Sequence, residues 1–458
     1  MYTLYSLLLA VVAVLSLPWW ALQMLRLGKY RAGFGERIGL VPQRIAQQAR
    51  QPHGPIWIHA VSVGEVLAVG PLVSQLRQAS PDRQVFVSTT TATGQRLARQ
   101  RFGETQVFFM PLDFGFSLRP YFRALGPSLL VLAETEFWPN LLHLARRRAV
   151  PVAIVNARIS DRSFPRYRRF RWFFSRVLAN VDLFLTQTED DAQRLKEIGA
   201  PAERVQVCGN LKFDIPPSAE VPLVKDLRRA VSQNSPAQNP PMQNSPVIVC
   251  GSTTEGEEEI LLAAFRTVLG QFPGCVLVLA PRHPERFDKV AQLVSASESS
   301  GIKMVRRSTW TPGVPLRGCV FLLDSLGELA SVYGIASVAF VGGSLLPGVG
   351  GHNILEPAQH GVAVVTGPNT ENFREIVRIF LNGSSKAGGA PDSNPSPALR
   401  IVTPENIAGE FLRLLQHREE RAQLGQRAKD LFQQNTGATA KTFQALQPLL
   451  GRREKRAQ

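Results

Sequence analysis

Cysteine is scarce: four stand in 458 residues, at positions 208, 250, 275 and 319, and no two make a CxxC pair. Each lies in or beside an apolar strand-like run. This reads as buried free thiols in a reducing compartment, and it excludes a disulfide framework. The seven histidines are scattered and form no HExxH, so no structural metal is expected. A GxGxxG fingerprint is missing, which sets NAD aside. Acidic residues are also in short supply, 36 against 52 basic ones, for a net charge of +16. The surplus calls for an anionic partner, namely phospholipid, phosphorylated glycolipid or nucleic acid. Neither RNP pattern, zinc-finger spacing nor helix-turn-helix accompanies it, so nucleic acid is not expected.

One long uncharged run is present. Residues 2–25 carry no charged side chain and are long enough to cross a bilayer, and Arg26, Lys29, Arg31 and Arg37 follow. The positive-inside rule then puts the remainder in the cytoplasm, with the run as a single anchor in the cell inner membrane. The basic end lies on the wrong side for a cleaved signal peptide. Pro18 with Trp19 and Trp20 would equally suit a kinked helix lying in the interface.

The richest stretch is VGGSLLPGVGGHNILEP, Val341 to Pro357. A buried strand is predicted up to Val341. Glycines 342, 343, 348, 350 and 351 then allow positive φ and close approach to a ligand. A helix is expected from near Asn353, and its unpaired N–H groups suit a phosphate. Glu356, on the same face, can accept two ribose hydroxyls. The same residues also read as a turn followed by a capping box.

Short β-branched runs alternate with amphipathic ones from Ile56 to about residue 189, and again from Val247 to about residue 368. Near-continuous apolar strands with helical crossovers imply parallel sheets covered on both faces. The fold class is α/β, with two doubly wound, Rossmann-like domains and a cleft at the C-terminal strand ends. The expected division is an anchor over 1–28, an α/β domain over 29–229, a Pro/Asn-rich linker or insertion over 230–246, and a second α/β domain over 247–450. A Gly/Ser/Pro-rich loop covers 382–397, and the chain ends in GRREKRAQ.

Charged residues fall at predicted strand ends. Glu65 opens a helix after Gly64, where the dipole would keep a general base ionised. Glu134 and Glu136 follow a strand, Lys212 sits in GNLKFD, and Arg282 follows Pro281 directly after another strand. Leu326, Gly327 and Glu328 start a further helix that could meet a base edge. Each has a plainer reading as a helix cap, a structural ion pair or a surface charge. No DxD occurs, so Arg282, a helix start and Lys212 would supply the positive charge that a divalent ion supplies elsewhere. The run RYRRFRWFF at 166–174 reads as a contact with an anionic membrane, or as a solvated helix with one aromatic edge.

In this order and spacing, VSVGE, STTTATG, AETEFWPN, VNARIS, GNLKFD, PRHPERF, GEL and VGGS…GGHNILEP resemble the 3-deoxy-D-manno-octulosonic acid (Kdo) transferases of lipopolysaccharide synthesis. The likeness runs from about residue 30 to 430. It implies a GT-B glycosyltransferase that inverts, with CMP-Kdo as donor, the lipid A precursor (lipid IVA) as acceptor and no cofactor. The first α/β domain would bind the acceptor and the second the nucleotide. By position, Glu65 matches the family's base, and Glu134 with Lys212 matches the pair that stabilises the transition state. Pro281–Arg282, Leu326–Gly327–Glu328 and Asn353–Ile354–Leu355–Glu356 match the CMP-contacting segments. Ile354 replaces a usual proline. A sugar-nucleotide 2-epimerase shares the architecture but leaves the apolar N-terminus unexplained. A membrane-tethered polyanion binder leaves Glu65 and the glycine loop idle.

Overall fold

The computed structural model describes residues 1–27, 33–49, 54–215, 221–232, 245–296, 302–383 and 396–451. Most of 230–246 and 382–397, and nearly all of GRREKRAQ, lie outside the described residues.

The chain forms two compact units, Met1–Asp214 with Thr436–Gln458, and Ile215–Asn435. In the first, strands β1 (Ile56–His59), β2 (Val85–Thr89), β3 (Val107–Phe109), β4 (Leu129–Ala133), β5 (Val152–Ala157), β6 (Leu183–Thr186) and β7 (Val205–Val207) make one parallel sheet. Its order is β3-β2-β1-β4-β5-β6-β7. Side chains alternate across it, as the two-residue strand period requires. Trp57, Phe86, Leu130 and Ile154 enter one core, and Ile58, Val87, Val131 and Val155 the other. Burial on both faces is why these strands read as unbroken apolar runs.

The second unit repeats the design with β8 (Val247–Thr253), β9 (Val276–Pro281), β10 (Lys303–Arg306), β11 (Cys319–Leu322), β12 (Val338–Val341), β13 (Ala363–Thr366) and β14 (Arg400–Ile401). The order is β10-β11-β9-β8-β12-β13-β14, all parallel. Every strand-like run of the sequence became a strand. The two unanticipated strands, β7 and β14, are short edge strands without a fully buried residue. All four cysteines are buried and free.

The unit boundaries differ from 229 and 247–450. Helix Pro222–Ser232 places Leu223, Val224 and Leu227 in a core with Val247 and Val249, so it belongs to the second unit. Helix Ala438–Gly451 places Leu446, Leu449 and Leu450 against Ile56 and Val85, so the chain end returns to the first. Asp214 fastens that return by accepting from the backbone N–H of Gly437 at 2.6 Å and of Thr439. An apolar helical stripe shows that a helix must be buried, but not against which sheet.

Candidate active site

In the first unit the strand order reverses between β1 and β4, and this opens a crevice at their C-terminal ends. Glu65 leaves β1 in the first turn of helix Val63–Ala79, and Glu134 leaves β4 directly. Glu65 is only 8% exposed. Its two oxygens accept from the Val61 N–H at 2.8 Å and the Ser62 hydroxyl at 2.9 Å. It therefore does bond back over the helix start, as a capping residue would. Desolvation dominates all the same. Burial, reinforced by the charge of Glu134, pushes its pKa up to about 7 against the pull of both hydrogen bonds. This corrects the expectation that the helix dipole keeps it ionised: near neutrality it both holds and releases a proton.

Glu134 occupies left-handed backbone, φ 57°, a conformation that costs a non-glycine residue on the order of 1–3 kcal/mol. Its carboxylate meets Lys212 Nζ at 3.1 Å and Arg158 Nε at 3.5 Å. Lys212 sits on a 3-10 turn, Leu211–Phe213, held by two asparagines. Asn156 Oδ1 accepts from the Leu211 N–H and Asn210 Oδ1 from the Lys212 N–H, both at 3.0 Å. Asn156 is itself left-handed, at an irregularity between β5 and β6, where an extra residue re-aims the strand end. Its Nδ2 is buried without a partner. Glu136 accepts from the Trp138 indole, and burial raises its pKa. His59, at the end of β1, is fully buried beside Trp138, and desolvation lowers its pKa to about 4, so it is neutral.

In the second unit the reversal falls between β8 and β12, and the glycine-rich loop follows β12. Glycines 343, 348, 350 and 351 have positive φ, as expected, and Gly342 does not. Gly342 is required for space: a Cβ there would come 2.8 Å from a Glu257 oxygen. Three of the loop's amides are not open to a ligand. Glu257, fully buried, accepts from Gly343 N–H at 2.7 Å, and from Ser344 and Leu345 N–H at 2.9 Å each. A carboxylate of the chain itself thus fills that hollow. The following helix is five residues long, Leu355–Gln359, starting after Asn353, so it offers little dipole to a phosphate.

Asn353 and Glu356 are joined side chain to side chain at 3.2 Å, while Asn353 Oδ1 accepts from the Leu355 N–H at 3.1 Å. Burial raises the Glu356 pKa, and the nearby Arg282 charge opposes this. Arg282, exposed after Pro281 at the end of β9, also acts on His352. Burial and that positive charge hold His352 down at about 4. Arg282, His352 and Glu356 therefore share one neighbourhood, with Ile354 and Leu355 buried beneath. At the third segment Leu326 is 71% exposed and Gly327 has φ 84°. Glu328 is less available than its sequence suggests, because Arg307 contacts it at 3.2 Å and Ser325 donates to it.

Several residues of these sites escaped the sequence reading: Arg158, Asn156, Asn210, His59, Glu257 and Arg307. For His59 and Asn156 a signal existed, since each is a polar residue closing an apolar strand. Arg286 and Glu258, paired at 2.7 Å with Glu258 fully buried, brace the β8 end through Thr253.

A family model described as 3-deoxy-D-manno-octulosonic-acid transferase (kdotransferase) matches residues 32–215. The chain is 34% identical to a 3-deoxy-D-manno-octulosonic acid transferase of Haemophilus influenzae, over 98% of each chain. It is 34% identical to the enzyme of that name from Bordetella pertussis, over 87% of this chain and 88% of the relative. Among solved structures, UDP-GlcNAc 2-epimerase from Neisseria meningitidis bound to UDP-GlcNAc superposes with a TM-score of 0.51. That match is 14% identical and covers 86% of this chain and 99% of the other, a likeness of fold alone.

Proposed function

The chain belongs to the 3-deoxy-D-manno-octulosonic acid transferase family, a family of GT-B-type glycosyltransferases, and from this premise we propose that it moves Kdo from CMP-Kdo to the lipid A precursor at the cytoplasmic face of the inner membrane. The observation that carries the chemistry is Glu65, a buried carboxylate whose pKa is pushed up to about 7 beside a second carboxylate and its cation pair. An acceptor hydroxyl attacks the anomeric carbon of Kdo as the bond to the CMP phosphate breaks, inverting that centre. Glu65 takes the hydroxyl proton, and a base is most effective with its pKa near the working pH. Glu134, with Lys212 and Arg158 against it, presents fixed charge to the oxocarbenium-like sugar and the departing phosphate. Arg282, Glu356, the Asn353–Leu355 segment and the Leu326–Glu328 turn hold the nucleotide. Incubation with CMP-Kdo and lipid A precursor, followed by mass spectrometry of the lipid, tests this: no Kdo-bearing product refutes it.

Arg282→Ala and Glu356→Ala are each expected to weaken CMP binding by roughly ten- to a hundred-fold, the loss of one charge-assisted bond of about 1.5–3 kcal/mol. Calorimetry checks it, and unchanged affinity in both variants removes the seat. Transfer is further expected to proceed without divalent cation, because Lys212, Arg158 and Arg282 supply positive charge. Turnover abolished by EDTA and restored by magnesium would contradict that assignment.

A further inference from the structure

Glu134 and Lys212 lie 78 positions apart, and the end of β5 holds both. The Glu134 N–H donates to the Val155 carbonyl at 2.9 Å, and the Thr135 hydroxyl donates to the Arg158 carbonyl. Toward Lys212 the strand end reaches out with Asn156, whose Oδ1 accepts from the Leu211 N–H at 3.0 Å. Asn210 closes the Lys212 turn locally, whereas Asn156 ties that turn to a strand 55 positions earlier in the chain.

This tie carries two costs. Asn156 has φ 55°, a left-handed backbone that glycine adopts freely and a residue with a side chain does not. Its neighbour keeps it there: Gln187 Nε2 donates to the Asn156 carbonyl at 3.1 Å, and the Gln187 N–H to the Ala157 carbonyl at 3.0 Å. The Leu211 donor also fixes which way round the carboxamide lies, because a reversed amide would set N–H against N–H. Nδ2 is thereby left buried, without an acceptor among the described residues, on a side chain only 2% exposed. A buried donor with no acceptor lowers stability. Four non-glycine residues have left-handed backbone among the described residues, and two of them are Glu134 and Asn156, so the strain gathers at this ion pair. Glycine at position 156 would remove both costs. What the carboxamide supplies in return is the bond to Leu211.

We propose that Asn156 is a positioning residue of the transfer reaction, its carboxamide locking the Leu211–Phe213 turn onto the end of β5 so that the Lys212 ammonium stays against Glu134 while charge develops on the sugar. Lys212 keeps its reach only while the backbone beneath it is fixed, since a long flexible stem places its charge no better than its anchor allows. Asn156 itself touches neither reacting group in this role. It acts through Lys212, and the inference rests on the part given to Lys212 and Glu134 in the proposed function.

Asn156→Gly, made in the full chain, deletes the carboxamide and leaves the backbone free to keep φ 55°. Two properties are measured: the rate at which acetic anhydride acylates Lys212, read by mass spectrometry of its peptide, and kcat for Kdo transfer. Lys289, in the second unit and largely exposed, is the internal reference. Lys212 is expected to acylate several-fold faster than in the parent, because the amine released from Glu134 is open to the reagent. The kcat is expected to fall, a misplacement of about 1 Å costing on the order of 10²-fold. Asn156→Asp returns an oxygen to the Leu211 N–H and tolerates left-handed backbone, so it should restore slow acylation and part of the turnover. In a Lys212→Ala background Asn156→Gly should change kcat little, because the two residues act as one unit. Unchanged acylation of Lys212 in Asn156→Gly overturns the proposal whatever the activity. So does an Asn156→Asp protein of parental melting temperature that acylates as fast as the glycine variant. An equal loss of kcat in the parent and Lys212→Ala backgrounds overturns it as well, by leaving Asn156 a purely structural part. Faster acylation with parental turnover sustains the clamp and refutes instead the part given to Lys212 and Glu134 in the proposed function.

Discussion

Glu65→Gln is expected to lower turnover by about 10²–10⁴-fold while CMP affinity stays near that of the parent enzyme. Glutamine keeps the size and can still accept from Val61 or Ser62, but it cannot take the proton of an acceptor hydroxyl. CMP affinity is spared because Glu65 belongs to the first unit and the nucleotide residues to the second. The pH profile gives an independent readout. With a pKa of about 7 in the folded protein, the rate should rise about tenfold per pH unit below 7 and level off above it, and the glutamine variant should lack that limb. Stability carries the opposite slope. The folded pKa lies above the ordinary carboxylate value of about 4.3, so the contribution of Glu65 is fully present below 4.3 and is lost as pH rises through 7. The parent protein should therefore lose stability relative to the glutamine variant across that window. Normal turnover with an unchanged pH profile would return Glu65 to the role of helix cap.

Glu257→Ala is expected to destabilise the second unit by at least about 3 kcal/mol and to abolish CMP binding. The amides of Gly343, Ser344 and Leu345 are buried and have Glu257 as their acceptor, and each buried donor left unsatisfied costs about 1–3 kcal/mol. Glu257→Gln separates packing from polarity: the shape is kept, but an NH₂ group must face backbone donors. Its unfolding midpoint in urea should fall between those of the parent and the alanine variant. CMP affinity should fall with it, because the loop leads directly into Asn353 and Glu356. A midpoint unchanged in both variants would show that the loop holds its shape without this carboxylate.

The amino-acid sequence alone determined the class of fold and the place of its loops. Runs such as Val247–Val249 and Leu129–Val131 are apolar at every position, a pattern imposed by sheets buried on both faces. Parallel connections of this kind put charged residues such as Glu65, Glu134 and Arg282 at the C-terminal strand ends. These consequences are local and follow from side-chain period and chain direction. Other features could be decided only by tertiary structure, because they depend on which distant groups share a solvent-poor space. Glu65 looked like an ionised helix-start carboxylate, and burial next to Glu134 made it a group that titrates near neutrality. The glycine loop looked open to close approach by a ligand, and a glutamate 86 positions before Gly343 takes up the amides of Gly343, Ser344 and Leu345. The returning C-terminal helix carries an apolar stripe that either sheet could have covered, and contact with Ile56 and Val85 assigned it to the first. The N-terminal run has the composition of a bilayer span, but that its first turns meet the first unit is a matter of Tyr5 and Asp113, and of Tyr2 and His143, coming together in space. Composition fixes how apolar a helix is, and only contacts made far along the chain fix what it packs against.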